Sequence, residues 1–90
     1  MKLQIHVQDI EETVEVADAN AALSRLKSEA ASRAPFLVKA MIRSMSDLNF
    51  AAEVVKRANT AENRNDELPR NSQDFLDWAV NRGYATILEA

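Results

Sequence analysis

The sequence predicts an α+β domain of order ββααααβ. A three-stranded antiparallel sheet, made of an N-terminal hairpin and a C-terminal strand, is packed on one face by a helical bundle. Three observations carry this expectation. Apolar residues alternate with polar ones near the start of the chain. They then recur every three or four positions across the middle. After the single glycine, Gly83, a short β-like run closes the sequence. At 90 residues the chain lies far below the roughly 250 at which domains divide, so residues 1–90 are read as one domain. Residues 1–17 form the hairpin, 18–61 the helices, 62–71 a loop, and 72–90 the last helix and closing strand.

Leu3, Ile5 and Val7 alternate with Gln4, His6 and Gln8, the pattern of a half-buried strand. Asp9, Ile10, Glu11 and Glu12 are turn-like, and Thr13, Val14, Glu15 and Val16 alternate again. Strands over 2–8 and 12–17 are therefore expected. A two-stranded hairpin is marginal in water and needs a third strand or helices against it.

Asp18 is placed to cap the first helix, whose stripe of Ala19, Ala22, Leu23, Leu26, Ala30 and Ala34 is narrow and small. Pro35 breaks the chain there. Phe36, Leu37, Val38, Ala40, Met41, Ile42 and Met45 follow, apolar around most of the circumference, which predicts the central and most buried helix, with both methionines in the core. Ser46 and Asp47 start the next, with Leu48, Ala51, Ala52, Val55 and Ala58 on one stripe. Residues 62–71 have no period and one proline, the signature of a mobile loop. Asn71 or Ser72 opens the last helix, with Asp74 three residues after Asn71, close to a capping box, and Gly83 ends it in a left-handed cap. Residues 84–88 are expected to pair with the first strand, with Tyr84 facing the core.

Composition weakens most catalytic readings. The chain has no cysteine, one histidine and one glycine. That excludes a disulfide scaffold, thiolate zinc sites, a cysteine nucleophile and glycine-rich phosphate loops. His6 sits mid-strand on the presumed polar face, and a catalytic role would need a carboxylate such as Glu15 beside it. Asp9, Glu11 and Glu12, like Asn63, Asn65, Asp66 and Glu67, lack the glycine and spacing of a cation-binding loop and read as solvated charge. No metal and no cofactor are expected, and the protein is read as non-enzymatic.

Fifteen of the residues are alanine, and Leu, Ile, Val and Phe total 22 of 90. That is enough to fold, but around a thin core that a partner would complete. The expected function is protein–protein interaction, with a homodimer as the main prospect and the alternating residues 2–8 as a pairing edge. Glu11, Glu12, Glu15 and Trp78 are the candidate contact residues. The net charge of −3 divides unevenly, acidic at both ends and basic between. Two alternatives follow. One is an acidic hairpin that inhibits a basic target. The other is a nucleic-acid-binding regulator using Arg25, Lys27, Arg33, Lys39, Arg43, Lys56 and Arg57, which the acidic pI of 5.1 disfavours. No run approaches the ~18 apolar residues of a membrane span, and the alternating N-terminus lacks a signal peptide's apolar core. A cytoplasmic setting is therefore expected.

Overall fold

A computed structural model describes residues 1–7 and 10–89, excluding the Ile10 side chain. It has the predicted order: β1 (Lys2–Val7), β2 (Ile10–Glu15), α1 (Ala19–Arg33), α2 (Phe36–Ser44), α3 (Asp47–Glu62), α4 (Ser72–Asn81) and β3 (Ala85–Glu89). The sheet is antiparallel with strand order β2-β1-β3. The turn residues Gln8 and Asp9 lie outside the described residues. The second strand starts at Ile10, two residues before the expected position, because pairing continues to Val7↔Ile10.

β1 is thus central, not an edge. It is flanked on both sides, Leu3 facing Val14 across one ladder and Ile87 across the other. This corrects the expectation that residues 2–8 offer a free edge: the open edges belong to β2 and β3. No helix among the described residues is long and apolar enough to cross a membrane.

Each predicted cap is made. Asp18 accepts the amide of Ala21 at 2.9 Å, Ser46 that of Asn49 at 3.1 Å, and Asn71 that of Asp74 at 2.8 Å. Each satisfies an amide that the first helical turn leaves free. Asp74 accepts in return from the Arg70 amide at 3.1 Å, one residue before the position a reciprocal box requires. α3 ends on Asn63 in the left-handed region (φ 53°), a geometry asparagine tolerates.

Gly83 has φ +79°, and the amides of Gly83 and Tyr84 bond back to Val80 and Ala79 at 3.1 and 2.9 Å. This paired closure reverses the chain so that the Tyr84 carbonyl accepts the His6 amide at 2.8 Å and sets β3 against β1. A Cβ at Gly83 would meet nothing within 4 Å, so substitution strains the backbone alone. Gly83→Ala is expected to lower stability by about 1 kcal/mol in urea titration. A variant as stable as the parent would show that the left-handed turn is dispensable.

Two apolar clusters meet along α1. One joins Leu3, Ile5 and Val14 of the sheet to Ala22 and Leu76. The other joins Leu23 and Ala31 to Ile42, Phe50, Ala51, Val55 and Phe75. Leu26 packs against both. Ala31 and Ala51, small and buried, belong to the layer where α1 meets α3.

α2 is not the central helix. It packs chiefly on α1, and Ile42 alone of its residues is buried. Pro35 and Ser46 confine it to nine residues beside one neighbour, so most of its apolar surface has nothing to cover it. Met41 is exposed, and only Met45 of the expected methionine pair reaches the core.

Candidate functional site

Three features stand out, the first of them at the far end of α4. The first is a polar knot. Asp66 accepts hydrogen bonds from Arg82 at 2.6 Å, the Trp78 indole at 3.0 Å and the Arg64 guanidinium at 3.3 Å. Asn59 on α3 grips the Asp66 backbone twice, donating to its carbonyl and accepting its amide, both at 3.0 Å. Arg82 also pairs with Glu62, and its guanidinium lies over the rings of Trp78 and Tyr84, 5.7 and 6.0 Å from their centres. Tyr84 donates its hydroxyl to Glu62 at 2.8 Å and is half-buried, so its polar end leaves the core. The connector 63–71 is thereby tied to α3 and α4 at its middle. A groove of about 380 Å³ runs between it and α4, with Pro69, Arg70 and Asp77 on its walls.

The second feature is an apolar cavity of about 230 Å³ between the sheet and the helices. Trp78 stands between this cavity and the groove and lines both. Phe50, Phe75, Tyr84 and Val54 contribute walls, and Glu12, Glu29 and Arg33 form the polar rim. Trp78 is thus part packing residue and part lining: it stacks on Phe75 with ring centres 5.8 Å apart and remains half-buried.

The third feature is the outer surface of α2. Phe36 is 82% exposed and Leu37 79%, with Val38, Met41 and Leu48 exposed nearby. Ile87 and Leu88 add exposed apolar side chains on the β3 edge.

The candidate contact residues divide by the pleat of β2. Glu12 shares a parity with the core residue Val14, reaches Arg25 at 3.2 Å and joins Trp78 at the apolar cavity. Glu11 and Glu15 have the opposite parity. Glu11 meets His6 at 3.2 Å, and Glu15 stands opposite Lys2. His6 therefore has a carboxylate neighbour, but it is Glu11 and not Glu15, because the register pairs position 6 with 11. The other imidazole nitrogen lies 3.2 Å from the Thr86 hydroxyl.

Four of the seven cations proposed for nucleic acid are paired within the chain. Arg25 and Arg33 hold Glu29 at 3.2 and 2.5 Å, Lys27 lies 3.4 Å from Asp47, and Arg57 3.5 Å from Glu53. Lys39, Arg43 and Lys56 have no ion-pair partner among the described residues. Lys27 and Arg43 share one small hollow with Asp47. No group of three or more metal-ligating side chains is gathered among the described residues.

Two carboxyls lie below their usual range. Hydrogen bonds from Arg33 and then Arg25 hold Glu29 down, and the Arg70 amide and side chain do the same for Asp74. A carboxyl whose pKa falls on folding binds fewer protons folded than unfolded near pH 4, so stability rises with pH there. The contribution is whole above the ordinary values of 4.5 and 3.8 and is lost as pH falls through the folded values. Glu29→Gln is therefore expected to flatten the fall in melting temperature between about pH 5 and pH 3. An unaltered pH profile would remove Glu29 from the acid response.

Sequence reasoning read Asp66 as solvated charge, which its bonds to Arg82 and Trp78 correct, and it missed Glu62, Arg82 and Asn59, which complete the knot, and the exposure of Phe36 and Leu37. No periodic signal marks an aspartate in an aperiodic stretch. Its partners lie up to 16 positions away. Compared with protein-family models, with curated proteins and with solved structures, the chain matches none.

Proposed function

We propose that this α+β protein is a non-enzymatic interaction module that pairs with a second copy of itself through the outer face of α2. The observation that carries the reading is the exposure of Phe36 and Leu37, 82% and 79%, side by side at the start of that helix. Single exposed apolar residues are ordinary on protein surfaces, but contiguous ones mark contact sites. Here Val38 and Met41 extend the patch along the same nine-residue helix. The polar clusters support binding over catalysis, since their charges are spent on one another: Asp66 on Arg82, Glu29 on Arg25 and Arg33. A cytoplasmic setting belongs to the proposal, because packing and the Asp66 knot close this fold without a disulfide.

Light scattering on the eluting peak at micromolar concentration is expected to give twice the chain mass of 10.0 kDa. The double variant Phe36→Glu, Leu37→Glu is expected to elute at the single-chain mass with its helical circular dichroism intact. A parent that stays monomeric up to millimolar concentration would overturn the proposal.

A further inference from the structure

We infer that the two copies lock by exchanging phenyl rings: Phe36 of each enters the apolar cavity of the other beneath Arg33. This rests on the dimer reading above and names its contact. The cavity is a hole without a plug. Its walls include Leu26 and Ala30 of α1, Phe50 and Val54 of α3, and Phe75 and Trp78 of α4. The polar tips of its aromatic walls are engaged elsewhere, the Trp78 indole N–H with Asp66 and the Tyr84 hydroxyl with Glu62. What faces the space is therefore ring faces and methyl groups. A polar occupant would lose its hydrogen bonds to water and find partners only at the rim of Glu12, Glu29 and Arg33. The fitting occupant is apolar.

Size and placement favour Phe36. A dry cavity of about 150 Å³ accepts a benzene ring, and this one, at about 230 Å³, has room for a phenyl ring and more. Phe36 is the most exposed large apolar side chain of the described residues. It does not fill its own cavity: it stands 82% exposed and is not among the residues that line the space. Yet it lies only three residues beyond Arg33, which forms part of the rim. Plug and hole thus sit close together on one protomer. A two-fold axis passing between them allows both insertions at once, which is the geometry of a closed symmetric dimer.

Charge agrees with this pairing. Lys39 lies one helical turn beyond Phe36, on the same side of α2, and has no ion-pair partner among the described residues. Glu12 and Glu29 stand on the cavity rim beside Arg33. A helix that delivers Phe36 into the cavity brings Lys39 toward these carboxylates of the other copy.

The test uses two variants of the full chain. Phe36→Ala removes the plug, and Ala30→Leu fills the hole from within. Each alone is expected to weaken the dimer about 30-fold or more, the loss typical of an interface hot spot. Mixed together, they are expected to form heterodimers in preference to either homodimer, seen by native mass spectrometry. Only the mixed pair retains one intact insertion, Phe36 of the Ala30→Leu chain in the cavity of the Phe36→Ala chain. A parent dimer that survives Phe36→Ala unweakened would overturn the exchange and leave the dimer reading standing. A monomeric parent would overturn both. Naphthalene that binds the parent cavity without shifting the dimer fraction would also overturn the exchange, marking the space as a small-molecule site. Should Ala30→Leu fail to fold, Val54→Leu takes its place, since Val54 lines the same cavity.

Discussion

Replacing Leu23 by alanine is expected to lower the unfolding free energy by about 3 kcal/mol, the cost of a buried cavity in a close-packed interior. Leu23 is 1% exposed and lies on α1, the helix both apolar clusters share. Its neighbours leave little means of collapse. Ala22 and Ala31, the other buried residues of that helix, are already small. Alanine cannot fill the space a leucine vacates, and the facing residues Ile42, Phe50 and Val55 are held by their own helices. Against a total stability of about 5–10 kcal/mol for a domain of this size, the loss is large. Urea titration checks it. A loss below about 1 kcal/mol would show that α1 closes onto the gap.

Removing the Asp66 carboxylate is expected to cost about 2–3 kcal/mol, and to do so by a different route. Its main partner, Arg82, is only 12% exposed along its side chain, and Asp66 only 21%, so water replaces little of what is lost. In Asp66→Ala the indole N–H of Trp78 loses its acceptor and Arg82 retains Glu62 alone. Asp66→Asn retains an oxygen for the indole and forfeits the charge, so it is expected to cost less. The two variants separate hydrogen bonding from charge. Tryptophan emission reads the same event locally: Asp66→Ala is expected to shift it to longer wavelength as the ring gains contact with water. Equal stability of Asp66→Ala and the parent would reduce the knot to a surface feature.

Features set by neighbouring residues were legible in the sequence. Asp18, Ser46 and Asn71 cap helices through contacts three residues long, and Gly83 takes the left-handed geometry its position implied. The pairing of β3 with β1 followed from the need for a third strand. Features that depend on how many neighbours an element has were not legible. The apolar run of α2 is the same whether one helix covers it or three, and only packing shows that it is one. Alternation over residues 10–16 is compatible with more than one strand start, so the position of β2 slipped by two. The pleat then separates Glu12 from Glu11 and Glu15, which adjacency in sequence had grouped. Asp66 was hidden most deeply, because its role exists only after α3, α4 and the connector have met.

The sheet's layout also constrains the order in which the protein can assemble. β1 precedes the helices in the chain and sits in the middle of the sheet, yet one of its two partners, β3, follows about 80 positions later, the separation that brings His6 to Thr86. Until residues 85–89 emerge, β1 has only β2 beside it, a hairpin of the kind that is marginal in water. Through that interval Leu3 and Ile5 must be sheltered by the growing helices or by nothing. Sequence-distant pairings of this kind slow folding and lengthen exposure to wrong partners. β2, the outer strand of that hairpin, carries three carboxylates, and charge on an edge strand disfavours pairing with another chain.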